Sequence, residues 1–146
     1  MYRTIKRFGP YGCAHRNHHV VGHCSNVHGY GLTVTIQFEK DNVDEAGFVE
    51  DFGDFEIIKK QLEYWFDHKL VLSRRDPLLP MFMELQDKHA CALTLMPESK
   101  TVSMEHRAEM IMDWLHLYEF TSAVSVEVRE HENNAGSYTR QDNATD

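Results

Sequence analysis

The run Leu32-Thr-Val-Thr-Ile-Gln-Phe38 alternates apolar and polar residues without a break. A β-strand, whose side chains point to opposite faces in turn, sorts such a run into a buried row of Leu32, Val34, Ile36 and Phe38 and an outer row of Thr33, Thr35 and Gln37. The β-branched residues suit a pleated, half-buried surface. Carried backward, the same period puts Tyr30 and His28 on the buried row. The strand therefore predicts a sheet with one covered face and chemically capable side chains at the inward end of that face.

The remaining elements follow from capping and periodicity. After a polar turn over residues 40–47, Asp51 is placed to cap a helix whose Phe55, Ile58, Leu62 and Trp65 recur at steps of three and four, ending at Asp67-His68. Residues 73–80, with Arg74, Arg75, Pro77 and Pro80, read as a loop, and residues 90–96 allow one further short strand. Ser103 caps a second helix, with Glu105 in its first turn and Ala108, Ile111, Leu115 and Tyr118 on one stripe. A last strand spans residues 123–130, with Val124, Val126 and Val128 inward, and the same parity turns Glu130 inward. The polar tail, residues 141–146, reads as frayed. The order strand, strand, helix, helix, strand predicts an α+β fold with helices on one face of an antiparallel sheet. No repeat or linker divides the 146 residues, which form a single domain in this reading.

Charge narrows the partners. Fifteen Lys and Arg face twenty-three Asp and Glu, a formal net charge of -8, which argues against nucleic acid because that binding needs clustered cations. No secretory run or membrane-length apolar stretch stands in the sequence, so a soluble cytoplasmic protein without a membrane partner is expected. Three cysteines without a CxxC pair suggest neither a disulfide framework nor a zinc finger.

Five of the ten histidines, His15, His18, His19, His23 and His28, crowd one short stretch. Imidazole suits zinc, and a catalytic zinc takes about three protein ligands with one position left open. His15 ends the first extended segment and His28 begins the second, so a hairpin would bring them together. A histidine-rich polar loop is the competing reading, and His18, His19 and His23 individually fit it better. Cys24, near these imidazoles, is a candidate base or nucleophile, or else an inert packing thiol. Asp67 beside His68 can fix an imidazole for proton transfer, or His68 simply caps the helix end. Glu130, if buried, needs donors, which a ligand with two adjacent N–H groups would supply.

Taken in order, Cys13-Ala14-His15-Arg16, Gly22-His23-Cys24, His28-Gly29-Tyr30, Asp51-Phe52, Asp67-His68, Val102-Ser103-Met104-Glu105 and Glu130-His131, then Ala135-Gly136 and Tyr138, resemble the 6-pyruvoyltetrahydropterin synthase / 6-carboxytetrahydropterin synthase family. The resemblance implies a T-fold: a four-stranded antiparallel sheet with two helices on one face, whose copies join into a barrel. That homo-oligomer is usually a hexamer with sites between subunits. It implies zinc (Zn2+) at the positions of His15, His28 and Tyr30, Cys24 as the proton-abstracting cysteine, Asp67 and His68 as a proton relay, and Glu130, with Glu105, in the substrate site. It further implies 7,8-dihydroneopterin triphosphate as substrate. The pattern looks closer to the branch leading to queuosine and other 7-deazaguanines, which yields 6-carboxy-5,6,7,8-tetrahydropterin, acetaldehyde and triphosphate. A pyruvoyl-type synthase, which eliminates triphosphate alone, and a non-catalytic pterin-binding protein are the alternatives.

Three positions depart from the pattern. The third zinc position holds Tyr30 instead of histidine, His131 stands for threonine, and Val102-Ser103 for Pro-Thr. A phenol ordinarily keeps its proton up to a pKa of about 10. Either Tyr30 coordinates as phenolate, or His23 or His19 substitutes, or metal binds weakly or not at all; zinc is the expectation. Arg16, Lys69, Arg74 and Arg75 are the candidate partners of the triphosphate.

Overall fold

In the computed structural model, which describes residues 1–141, the alternating run lies in the middle of strand β2 (His28–Lys40), and Leu32, Val34, Ile36 and Phe38 are all buried. Of the tail read as frayed, residues 142–146 lie outside the described residues. Strand β1 (Tyr2–His15) runs antiparallel to β2 along its length, from Tyr2 opposite Lys40 to His15 opposite His28. On the other side of β2 lies an antiparallel strand, Ala123–His131, followed by a hairpin return, Asn134–Thr139. Two short strands, Lys69–Leu72 and Leu93–Leu95, continue the sheet beyond the end of β1, each parallel to its neighbour. Numbered along the chain these four are β5, β6, β3 and β4, and the sheet order is β4-β3-β1-β2-β5-β6.

The fold is α+β, but the sheet has six strands and is mixed, not four-stranded and antiparallel. β3 and β4 are three or four residues of mostly apolar chain, too short to display a period, and β6 is small and polar. Three helices stand where two were expected. Helix α1 (Glu56–Phe66) follows a single 3-10 turn in which Asp51 accepts the Gly53 N–H, and α3 (Met104–Leu117) is capped by Ser103, which accepts the His106 N–H. Between them α2 (Leu79–Asp87) begins inside the segment read as a loop. Pro80 sits in its first turn, where the missing N–H removes no helical bond; none of its residues is fully buried, and its apolar residues are spread round the helix, with Met81, Met83 and Leu85 exposed.

α1 and α3 bury Phe55, Ile58, Leu62 and Phe66 together with Ala108, Ile111 and Leu115 against one face of the sheet. Trp65 is only half-buried and packs on Trp114, leaving Phe66 as the deeper residue. Tyr118 caps the end of α3 and is exposed. A register shift between Gln37 and Phe38 sets Ala123 opposite Phe38, which leaves Val124 half-buried, in contrast to Val126 and Val128.

The decisive irregularity is in β1. Phe8 lies opposite Val34 and Tyr11 opposite Leu32, so β1 uses three residues where β2 uses two. The extra residue, at Gly9-Pro10, is a β-bulge, and Gly9 adopts φ +95°, where a Cβ would lie 2.7 Å from the Leu32 carbonyl oxygen. In an unbroken strand every residue an odd number beyond Phe8 would face away from the helices. The bulge reverses the parity, so Tyr11, Cys13 and His15 face the helices and are buried.

Beyond β1 the chain turns into residues 16–27, which one arginine holds down. Arg16 forks onto Asp76 through Nε at 2.7 Å and Nη2 at 2.9 Å and donates Nη1–H to the Ser25 carbonyl at 2.9 Å. Asp76 Oδ1 also accepts the Leu78 N–H. Burial pushes the Asp76 carboxyl up, but the Arg16 fork and the Leu78 N–H outweigh it and hold the group below the usual carboxylate range. A carboxylate depressed in the folded state adds stability that is present above its unfolded pKa and is lost as pH falls through the folded value. Asp76→Asn is therefore expected to lower the unfolding free energy at pH 7 by about 3 kcal/mol in urea titrations. It should also flatten the acid-side decline in stability.

Candidate functional site

The bulge and the hairpin register together put four side chains on one patch of the covered face. Cys13 lies opposite Tyr30 and His15 opposite His28. The His15 and His28 rings are 4.4 Å apart, Tyr30 meets His28 edge-on at 5.9 Å, and His131 stands 5.2 Å from Tyr30. Gly29 allows this closeness, because a side chain there would run into the Cys13 carbonyl oxygen. His28 Nδ1 lies 2.7 Å from the Asn26 carbonyl, which can only accept, so Nδ1 carries a proton and Nε2 is the ring nitrogen left outside that bond. Burial, then the Arg107 guanidinium and His28, push the His15 pKa down to about 3, so its imidazole is neutral at any physiological pH.

These rings line a recess of about 410 Å³ that also takes in Cys24, Glu105 and Glu130. Six residues singled out from sequence, His15, His28, Tyr30, Cys24, Glu105 and Glu130, thus converge. Cys24 is exposed on the single turn His23–Ser25, its carbonyl accepting the Asn17 N–H at 3.1 Å. Glu105 opens α3, which rests on β6 at Gly136, where a Cβ would lie 2.6 Å from the Glu105 nitrogen. Glu130 accepts from Asn134 Nδ2 at 3.4 Å. His23 also lines the recess, whereas His19 stacks on His18 at 3.9 Å.

Asp67 and His68 do not join them. His68 adopts φ 58° just past α1, donates its backbone N–H to the Gly12 carbonyl, and holds Nδ1 3.1 Å from Asp67 Oδ1 with its side chain 88% exposed. It borders a separate hollow of about 650 Å³ floored by Gly12, Gly29 and Gly31, positions that alternate with the core-facing row. Asp67 borders a third recess with Tyr11 and Glu63. There burial, then Glu63 and Asp67, push the Tyr11 hydroxyl up to about 12. Arg16 is engaged by Asp76, so of the candidate phosphate partners Arg74 and Arg75 are the exposed arginines.

Sequence reasoning missed Arg107, which is fully buried beneath this patch. The signal was present: residues 104, 107, 108, 111 and 115 share one helical phase, so Arg107 falls on the apolar stripe of α3.

Among the described residues no three His, Cys, Asp or Glu side chains form a metal-holding group. At the positions expected for the zinc the donors are two imidazoles and one phenol, those of His15, His28 and Tyr30. The neutral His15 imidazole, and at His28 a ring whose far N–H is clamped by a carbonyl, are arrangements in which histidine takes a metal. The His15–His28 pair fits zinc on that ground, with the Tyr30 oxygen as the remaining donor on the same face.

Residues 4–141 match the family model for 6-pyruvoyl tetrahydropterin synthase. The chain is 31% identical over 116 residues to a probable 6-carboxy-5,6,7,8-tetrahydropterin synthase of Halobacterium salinarum, across 80% of this chain and 73% of that one. It is 36% identical over 55 residues to the 6-carboxy-5,6,7,8-tetrahydropterin synthase of Bacillus subtilis, across 38% and 36% of the two chains. Among solved structures, an uncharacterized protein of Wolinella succinogenes superposes with a TM-score of 0.83 at 16% identity, covering 96% of this chain and 98% of that one. The 6-pyruvoyl tetrahydropterin synthase of Caenorhabditis elegans gives 0.63 at 17% identity over 96% and 94%. At those identities the structures speak for the fold, and they bear out the T-fold and α+β expectation. No helix among the described residues is long and apolar enough to cross a membrane.

Gly29→Ala is expected to force β1 and β2 apart at the histidine pair and to cost about 1–3 kcal/mol in unfolding experiments. Gly12→Ala, whose Cβ would meet nothing within 4 Å, should be close to neutral.

Proposed function

Because the chain belongs to the 6-pyruvoyl tetrahydropterin synthase family, we propose that it is a zinc-dependent carbon–carbon lyase. With one water it converts 7,8-dihydroneopterin triphosphate to 6-carboxy-5,6,7,8-tetrahydropterin, acetaldehyde and triphosphate, on the route to queuosine and other 7-deazaguanines. The observation that carries this reading is the convergence of Cys24, Glu105 and Glu130 with the His15–His28 pair on one recess. The names of the two curated relatives favour the carboxy product.

In this reading Glu130 accepts two adjacent N–H groups of the pterin ring, a bidentate contact that fixes the ring's orientation. Glu105 borders the same ligand from the first turn of α3. Cys24 Sγ takes a carbon-bound proton, and His68, oriented by the Asp67 carboxylate, carries protons to and from the side chain. His15, His28 and the Tyr30 oxygen hold the zinc, which when bound supplies Lewis-acid polarisation of the substrate's side-chain hydroxyls. Since His68 and Cys24 border different hollows of one chain, the relay facing a given Cys24 comes from another copy, in a homo-oligomer of the hexameric kind. The outer edge of β1 over residues 2–11, which pairs with no strand among the described residues, offers backbone groups for such assembly.

Incubation with dihydroneopterin triphosphate and zinc, followed by mass analysis, tests the reading. Acetaldehyde with the carboxypterin is expected, and a pyruvoyl product without acetaldehyde would assign the sister reaction. Tyr30 at the third ligand position favours one further reading, a pterin-binding protein without turnover. Cys24→Ala separates the two, with a loss of about 100-fold or more in kcat expected for the lyase. Chains carrying Cys24→Ala and His68→Ala, each inactive alone, are expected to regain part of the activity when refolded together.

A further inference from the structure

Arg107 is a buried charge that the reading above does not use, and unlike the buried Asp76 it has no ion-pair partner among the described residues. Its side chain is fully buried on the apolar stripe of α3, among Met104, Ala108 and Ile111. Nε donates to the Val102 carbonyl at 3.0 Å, and Nη1 lies 3.9 Å from Cys13 Sγ. Nη2 has no partner at all. No carboxylate among the described residues lies within 4.0 Å of the guanidinium, in contrast to Arg16 with its bidentate aspartate. Cys13 is the cross-strand neighbour of Tyr30 and sits two residues before His15 on the same face. The cation therefore underlies the patch formed by Cys13, His15, His28 and Tyr30.

A buried guanidinium with a free donor is an unfavourable core residue, and an apolar side chain of similar volume is usually as stabilising or more so. Packing does not account for it. Its charge does act on the patch above, because the guanidinium itself is fully buried, away from the water and salt ions that screen surface charges. The sign of the effect is set: a second cation brought between His15 and His28 is repelled.

We propose that Arg107 is a positioning residue for charge, which holds down the affinity of the His15–His28 pair for a divalent metal. The inference rests on the zinc reading above. With Arg107 in place the pair takes its metal weakly and exchangeably, and the balance is restored by anionic groups that share the recess, Glu130 and the bound substrate.

The test compares the full-length chain with Arg107→Met, Arg107→Gln and Arg107→Lys, each stripped of metal and titrated with Zn2+ against a chelator. Co2+ absorption serves as a spectroscopic check on the same ligands. The two uncharged variants are expected to bind Zn2+ at least tenfold more tightly than the native chain, and Arg107→Lys to stay near the native value. Equal, finite affinities across all four chains would overturn the inference and leave the zinc reading standing. Failure of both uncharged variants to fold would also overturn it, by showing that the charge is kept for the core. Absence of binding in every chain would instead remove the zinc reading, and this inference with it.

Discussion

One extra residue in β1 decides which face of the sheet carries the chemistry. Without the bulge at Gly9-Pro10, Phe8 and His15 would face opposite sides, and the buried row of β2 would have no imidazole to meet at its end. With it, His15 enters the covered face at the point where His28 begins the next strand, and Gly29 lets the two strands close to a ring separation of 4.4 Å. The remaining parts of the recess attach to this pair: Cys24 through the loop between the two histidines, Glu105 through the seat of α3 on Gly136, and Glu130 through the parity of β5.

Two arginines show how the same side chain serves opposite ends in this fold. Arg16 is matched by a fully buried carboxylate and a backbone carbonyl, and its charge is neutralised where it stands. The result is mechanical: the loop bearing Cys24 is tied to residues 73–76. Arg107 is matched by a thiol and a carbonyl only, so its field remains. A chain of net charge -8 thus keeps one buried cation without a carboxylate partner within 4.0 Å beneath its histidine pair.

How much was legible in the sequence follows from the length and regularity of each element. β2, α1, α3 and β5 each bury a face over many residues, so their periods survive in the sequence and their caps, Asp51 and Ser103, stand where the periods begin. β3 is mostly buried and β4 half-buried, both too short to alternate, β6 has small polar residues, and α2 has no fully buried residue. None of these carries a pattern that local physics would write. The same division holds at the site. His28 and Glu130 were readable because each sits at the end of a strand whose parity is legible, and His15 and Cys24 because they fall in the histidine-rich stretch before His28. Arg107 was readable in phase but contradicts its own stripe, and such contradictions between a local rule and a buried position are where function tends to sit.

The separation of His68 from Cys24 is a consequence of sheet geometry. Successive side chains of a strand stand on opposite faces, and the backbone layer between them is continuous wherever strands pair. His68 reaches the hollow floored by Gly12, Gly29 and Gly31, while Cys24, Tyr30 and the histidine pair open on the recess beside α3. No rotation of the His68 side chain crosses that layer, because β1 and β2 pair without a break from Gly12–Gly31 to His15–His28. A single chain can therefore bind a ligand with one set of groups or the other. Chemistry that needs both a thiol and a carboxylate-oriented imidazole on the same substrate atom requires two copies, which makes assembly a condition of such a reaction and not merely a source of stability.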